Sequence, residues 1–549
     1  MILLKNLNNL FQHGIKCFKT LLLFLVMGLF VACGNSEAKK LPQPIEPVER
    51  DTTITPANAY SNLFFDSLAL EKMMLQRALP DTQVQRLRNF YNGRNYQYAW
   101  FTDTGFSEQV PIYWSVQSQY IAYSGDSSLY NPFLDSLVRT GDSTKSMFPL
   151  KDSVRLSAEV QFTTHFITYA SRAYQGNINI DEEDLGWFIP RKRINTVALL
   201  DSLVQNRGQN LEAYAPVNSQ YQKLKGHLLR YYELQRAGGW PTIVADKKKY
   251  QPGDSAKVMV AIKRRLATLG DYTVPDTGYV YNDSLQTAVK RFQKRHGLVE
   301  DGIIGGNTFK YLNQPLEDRI RQLLVNMERM RWMPQQGDST YILVNIPQYR
   351  LTVFEGGKPS FGMNIVVGTS QNRTVVFTGN LKHVVFAPYW NVPPGIMKNE
   401  ILPAINRNPN YLAQHHMEWN GNYVRQKPGP WNALGKVKFL FPNNFHIYLH
   451  DTPAKGLFNQ QKRAFSHGCI RIEDPQRMAE WVLRDQPEWT TERILQAMNG
   501  SEEKYVTVDR DIPVVIGYFT AWVSANGSLN FREDVYGHDA KLAQRLFER

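Results

Sequence analysis

Phe445-His446-Ile447-Tyr448-Leu449-His450-Asp451-Thr452-Pro453 runs through a polar loop into Ser466-His467-Gly468-Cys469-Ile470-Arg471. How this stretch is read decides the nature of the C-terminal half of the chain. Phe445 to His450 alternates with a period of two. That pattern predicts a strand with Phe445, Ile447 and Leu449 facing a core and His446, Tyr448 and His450 on the open face. The loop must then bring Cys469 back to that imidazole-bearing wall.

Two chemistries suit such a cluster. Zinc would draw on His446, His450, His467 and Cys469. A spacing of four, however, brings two histidines to one ion only on a helix. On a strand the pair lies about 13 Å apart at ~3.3 Å per residue, too far to share an ion bound at ~2 Å. The second chemistry is a cysteine nucleophile with a histidine base. A thiol of pKa ~8.5 is mostly protonated at neutral pH, and a nearby imidazole can take its proton. Gly468 permits a tight turn and leaves room beside the sulfur, and the amides of Gly468 and Cys469 are placed to face a developing oxyanion. A lone cysteine also fits as a small buried hydrophobe.

The run Ser466 to Arg471, with His450 upstream in Tyr448-Leu449-His450-Asp451-Thr452-Pro453, resembles the active-site signature of the L,D-transpeptidases, which share a YkuD-type catalytic domain. Many members carry Asn at the position of Arg471; Arg is typical of the larger, multidomain branch. The resemblance implies Cys469 as nucleophile and His450 as general base, with Ser466, His467 and Gly468 shaping the site. His467, nearer in sequence, is the rival base. Tyr448 is expected to line the pocket, and Arg471 either to hold a substrate carboxylate or to organise the loop. The implied substrate is a peptidoglycan tetrapeptide stem, joined 3→3 to a second stem through a thioester. The resemblance implies no cofactor or metal, and it implies inhibition by carbapenems. Water or an amino acid as acceptor would make the same site an L,D-carboxypeptidase or exchange enzyme. A non-catalytic peptidoglycan-binding lipoprotein is the third reading.

At 549 residues the chain is too long for one core, and ~100–200 residues per domain gives three or four. The formal charge of +13 comes without a basic helix or a nucleic-acid motif. It points to diffuse attraction to acidic polymers or surfaces; a cell wall with free carboxylates fits as well as nucleic acid does, and the compartment, read from the start of the chain, decides for the wall. Lys5, Lys16 and Lys19 precede the apolar run Leu21 to Val31, which is short for a permanent span. The run ends in Phe30-Val31-Ala32-Cys33-Gly34-Asn35, which resembles a bacterial lipoprotein box. That implies cleavage before Cys33, a lipid on its thiol, and a periplasmic protein anchored to a membrane. Phe30 replaces the usual leucine, so ordinary signal cleavage or a retained anchor stays open. Cys17 would leave with the signal, and Cys469 is then the one free thiol of an exported chain.

The expected architecture is multidomain α+β. Residues 1–32 form the signal peptide and 33–58 a tether. Residues 59–250 form a helical scaffold domain, in which Ser67 to Ala78 and Ser153 to Ala173 carry helical periodicity. Its aromatic run Arg94 to Phe101 reads either as packed core or as a sugar-stacking surface. Residues 251–315 form a three-helix unit whose Ala288 to Leu298 and Asp301 to Gly305 are similar to the peptidoglycan-binding module. An amphipathic helix, Leu316 to Met330, lies in a connector at 316–340. The β-rich catalytic domain spans 341–500, opening on a hairpin-like pair at Tyr341–Ile346 and Tyr349–Glu355. A capping insertion at about 390–430, helical and irregular, is expected as a substrate lid. Residues 501–549 supply C-terminal strands packing on the scaffold or catalytic domain, with Val514 to Val523 one strand and Leu529 to Phe531 its partner.

Overall fold

The structure, a computed structural model, describes residues 45–143, 151–177, 180–209, 217–273, 276–333 and 339–547. The signal segment, Cys33, the first part of the tether and Pro334 lie outside the described residues. The chain is multidomain α+β and divides into two units, Met1–Asp103 with Asp152–Val160, and Thr104–Lys151 with Gln161–Arg549.

In the first unit, the helices Ser67–Gln76 and Asp81–Asn92 are joined by the start of the helix Asp152–Gln175. Glu159 is fully buried. It accepts from Ala99 N at 2.6 Å, Trp100 N at 3.0 Å and Tyr91 Oη at 3.0 Å. Burial pushes its carboxyl up to about 7. Tyr96, Tyr98, Trp100 and Phe101 are all buried. The aromatic run is therefore core and not an open sugar-stacking surface.

In the second unit the helix Leu316–Trp332 joins the small module to the sheet and is amphipathic in its first half, where Glu317, Asp318 and Arg321 are exposed opposite the buried Leu316, Ile320 and Leu323. Every residue from Val325 to Trp332 is buried, charged ones included. The sequence reading fails here because the charges are paired inside. Arg329 meets Asp539 at 2.5 Å, Arg331 pairs with Glu328, and Trp332 Nε1 donates to Glu328 at 3.1 Å. Three helices, Val258–Thr268, Asp283–Arg295 and Gly306–Leu312, form the small module. Its core is built on Met259, Ile262, Leu266, Leu285, Val289 and Phe292.

From Tyr341 the period-two pattern builds an 11-stranded sheet. Its strands are β1 Tyr341–Asn345, β2 Arg350–Glu355, β3 Lys358–Gly368, β4 Phe377–Asn380, β5 His383–Phe386, β6 Val437–Leu440, β7 Leu449–His450, β8 Ala464–Ser466, β9 Ile470–Ile472, β10 Lys504–Thr507 and β11 Pro513–Gly517. The spatial order is β10-β5-β6-β7-β9-β3-β2-β1-β11-β4, with β8 pairing β3 off this path. The sheet runs past residue 500, because β10 pairs with β5 and β11 lies between β1 and β4.

Val514 to Val523 is not one strand. It breaks after Gly517 and resumes as β12 Ala521–Val523, which pairs with β13 Leu529–Phe531 in a separate hairpin. Two buried asparagines hold the break by satisfying its backbone. Asn345 accepts from Phe519 N at 2.9 Å and donates to Phe519 O at 3.1 Å, and Asn326 accepts from Thr520 N at 2.9 Å.

The insertion between β5 and β6 is only half helical. It carries a three-stranded antiparallel sheet, Trp390–Asn391, Tyr423–Gln426 and Met417–Asn420 in that order. It also has a core of its own made by Val392, Ile401, Met417 and Val424.

Asn326→Ala leaves the Thr520 amide unpaired inside the protein. The expected loss is ~1–3 kcal/mol, read as a lower urea midpoint with an unchanged denaturant slope.

Candidate active site

The site begins with one register. β7 and β9 run parallel, with Leu449 beside Ile470 and His450 beside Arg471, and Ile470 N donates to Tyr448 O at 3.1 Å. Leu449 and Ile470 are fully buried under the sheet. Tyr448, His450 and Arg471 stand on the face turned toward Cys469. Only Leu449–His450 of the expected Phe445–His450 strand is regular. Upstream, Asn443 ties a loop by accepting from Phe445 N at 3.0 Å and Ile447 N at 3.2 Å while donating to Ile447 O at 2.8 Å. His446 adopts a left-handed conformation, φ 55°, and its ring is exposed. Phe445 packs against the rings of Phe377 and Phe188. A side chain that bonds its own neighbours outcompetes the strand here.

Cys469 is half-buried and not sealed. Its Sγ donates to His446 O at 3.5 Å. Burial raises the thiol above its ordinary value, while hydrogen bonds from the backbone and hydroxyl of Tyr448 and the charge of Arg471 act in the opposite direction. Burial also lifts the Tyr448 hydroxyl far above its ordinary value, with the neighbouring Cys469 adding to the rise. That hydroxyl is therefore a hydrogen-bond donor to sulfur at any working pH.

His450 is 4% exposed, and its Nδ1 meets Asp451 O at 2.5 Å. A carbonyl can only accept, so Nδ1 carries the proton and Nε2 keeps its lone pair. Burial, and then the Arg471 charge, depress the ring to about 4. His450 lies two residues along β7 from the neighbour of Cys469. Strand spacings of ~4.8 Å and ~3.3 Å per residue put the two Cα atoms about 8 Å apart. The resting site thus pairs a neutral thiol with a neutral imidazole, and Arg471 acts on both.

The turn carrying Cys469 is held from below. Gly468 sits at φ 118°, a conformation glycine tolerates. Its carbonyl accepts from Thr374 Oγ1 at 2.7 Å, and its amide donates to Ser466 Oγ at 3.2 Å. Ser466 Oγ in turn donates to Cys469 O at 2.6 Å. The Gly468 amide is thus committed to Ser466. Thr374 also accepts from Gly368 N at 2.9 Å, and Tyr536 Oη donates to Gly368 O at 2.7 Å. A Cβ on Gly368 would lie 2.0 Å from Asn372 O, so this approach is closed to any other residue. Thr374 and Tyr536 carry no local signature of these roles, because their partners are 94 and 168 residues away.

His467 points away from this cluster. Its Nε2 lies 3.1 Å from Glu400 Oε1 of the insertion, with both side chains about half exposed at 51% and 54%. Glu400 went unnoticed in the sequence reading. Among the described residues no group of three or more His, Cys, Asp or Glu side chains is placed to hold a metal.

Residues 339–516 match the family model of the L,D-transpeptidase catalytic domain. That stretch is similar to the L,D-transpeptidase catalytic domain. Residues 85–228 match a model described as "Scaffold domain" and 256–312 one described as "Putative peptidoglycan binding domain". A Haemophilus influenzae protein named "Putative L,D-transpeptidase" is 33% identical over 247 residues, 41% of this chain and 50% of that protein. The chain thus spans about half the length of the curated relative it matches. Among solved structures, an L,D-transpeptidase from Xylanimonas cellulosilytica is 15% identical at a TM-score of 0.18, covering 50% of this chain and 100% of that one. L,D-transpeptidase 3 of Mycobacterium tuberculosis, solved with a faropenem-derived adduct, is 14% identical at a TM-score of 0.18, covering 33% and 61%.

Burial holds the rings of both His450 and His538 down at about 4. Between pH 6.5 and 4 the unfolded chain takes up protons that the folded chain refuses. Stability is therefore full above about pH 6.5 and falls on the order of a few kcal/mol as pH drops to 4. Urea midpoints at pH 7 and 4.5 check the fall. An NMR titration of His450 should show a midpoint near 4.

Proposed function

We propose that the chain is a peptidoglycan L,D-transpeptidase that forms 3→3 cross-links through a Cys469 thioester. The observation supporting this most directly is that Tyr448 and Arg471 both act on one half-buried thiol, while His450, which the same Arg471 charge reaches, stands beside Arg471 on the neighbouring strand. Cys469 Sγ attacks the carbonyl at the L-centre of the third residue of a tetrapeptide stem. The thiol proton passes to Nε2 of His450 as the C–S bond forms, so no free thiolate has to be held in the resting site. Arg471 and the Tyr448 hydroxyl stabilise negative charge on sulfur during the transfer.

The tetrahedral oxyanion faces the backbone amide of Cys469, since that of Gly468 is taken up by Ser466. Each such donor is worth ~3–4 kcal/mol in related chemistry. The intermediate collapses with loss of D-alanine, whose nitrogen takes the proton from His450. The side-chain amine of a second stem then attacks the thioester, gives its proton to His450 and releases the sulfur, which is reprotonated.

His467, held by Glu400 at the mouth of the insertion, is a site-shaping group in this scheme and not the base. The insertion serves as the lid over the stem. We assign the 256–312 module to wall binding, Cys33 to lipid attachment, and the protein to the exported, wall-facing side of a membrane. Carbapenems would acylate the same sulfur.

Intact-mass spectrometry after incubation with a disaccharide tetrapeptide should show an adduct equal to the donor minus alanine, and Cys469→Ala should show none. Dimers as product support cross-linking; tripeptide alone would make the enzyme an L,D-carboxypeptidase.

Tyr448→Phe removes one hydrogen bond to a developing anion and should slow acylation ~10–100-fold, matching ~1.5–3 kcal/mol. His450→Gln should slow it further. In the wild type the acylation rate should hold from pH 8 down to about 5 and fall only as His450 protonates near 4. An acid limb centred at 6.5 would contradict this assignment of the base.

A further inference from the structure

A cleft of about 990 Å³ lies away from the sulfur, and its lining includes neither Cys469 nor His450. One wall is the module, from Gln293 to Tyr311. The other is the turn at 347–350, the loop at 461–463 and the β12–β13 hairpin with its exit.

Six basic side chains line the cleft against three acidic ones. The acidic groups are already engaged. Asp301 accepts from Gln293 Nε2 and Ile303 N inside the module. Lys294 lies 3.9 Å from Glu300. Glu533 is shared by two ammonium groups, Lys462 at 2.9 Å from one wall and Lys310 at 3.7 Å from the other. Lys310 and Lys462 are 66% and 75% exposed, so their charges face solvent at the opening. The half-buried ring of Trp522 lies under Arg532, 4.9 Å from its guanidinium carbon. This is a surface of excess positive charge with an aromatic floor, suited to an extended anionic chain with apolar segments.

The second wall continues into the catalytic turn. Gln461 Nε2 donates to Gly297 O across the cleft. Arg463 donates to Ile365 O at 3.2 Å, Tyr349 O at 3.1 Å and Asn364 Oδ1 at 3.2 Å. β8 starts at the next residue and leads to Cys469. Six residues span at most ~20 Å, so a polymer seated in the cleft lies within reach of the sulfur.

We propose that this cleft, made jointly by the module and the catalytic domain, holds a peptidoglycan strand by the carboxylates of its stem peptides while a neighbouring stem reaches Cys469. The assignment rests on the peptidoglycan reading above. Lys310 and Lys462 clamp a stem carboxylate in place of Glu533, one from each wall.

The test measures binding of soluble glycan strands bearing several tetrapeptide stems to the full chain at low salt. Wild-type binding should weaken steeply as salt is raised. K310E/K462E should bind at least tenfold more weakly with an unchanged Tm, and K310R/K462R should bind like wild type. Strands with amidated stem carboxylates should bind wild type at least tenfold more weakly. They also decide the matter should the Glu variant lose stability. Equal binding by K310E/K462E or by amidated strands overturns the proposal, as does equal binding of poly-glutamate.

Acyl-enzyme formation by wild type is read separately. Charge-dependent strand binding without an acyl-enzyme supports the cleft and removes the thioester mechanism. An acyl-enzyme with charge-independent binding removes the cleft alone.

Discussion

Two residues of parallel pairing carry the whole site. Leu449 beside Ile470 and His450 beside Arg471 put two apolar side chains under the sheet and the titratable ones above it. A shift of one residue would send His450 and Arg471 into the core and lift Leu449 and Ile470 out. So short a contact cannot hold its own register. The neighbours hold it: β6 pairs Lys438 with His450 on one side, and β3 pairs Val366 with Arg471 on the other. Parallel neighbours also require a crossover, and the segment between His450 and Cys469 supplies it as loop and short strand. The nucleophile therefore arrives on a turn whose backbone is tied to β3 through Thr374 and Gly368.

The electrostatics follow from that burial. An imidazole held at about 4 beside an arginine is a poor partner for a standing thiolate–imidazolium pair, because the protonated ring would sit next to a fixed positive charge in a medium of low dielectric. The same arginine favours negative charge on sulfur. The two effects of Arg471 oppose each other at rest. In the proposed attack, with the proton on the ring and electron density moving from sulfur to the carbonyl, the charge of the ring would be matched by the oxyanion. The arrangement thus discourages idle ionisation of the thiol.

Much of this was readable in the sequence where a pattern was local. The period of two at Tyr341 and the apolar spacing at Val258 to Phe292 each report a face turned to a core, and the elements formed where those patterns lie. Leu449 points inward and His450 outward as alternation requires. Asn443 looks like any polar residue before a strand, yet its amide folds the residues after it, up to Ile447, into a loop. The rest of what was not readable depends on partners far along the chain. Asn326 and Asn345 break the run Val514 to Val523 from 194 and 174 residues away. The helix Leu316–Trp332 read as amphipathic along its whole length because Glu328, Arg329 and Arg331 were assumed to need water, and pairing removes that need. Glu400 has no signature at all, since its partner His467 becomes a neighbour only after the insertion has folded on its own core.

Two supports approach the catalytic turn from opposite directions along the chain. Glu400 of the insertion meets His467 on one side of Cys469. The loop leading into β8 is pinned to the module through Gln461 on the other. Under the proposed reaction a donor stem would be held while an acceptor enters, which one rigid pocket serves poorly. The insertion folds around Val392, Ile401, Met417 and Val424, a core separate from that of the sheet. Its half-exposed contact with His467 is worth little, ~0–1 kcal/mol. The Arg463 contacts are numerous and partly buried, so that side stays fixed. On the proposed cross-linking reading, the fixed flank would register the polymer and the weakly held flank would admit the second stem.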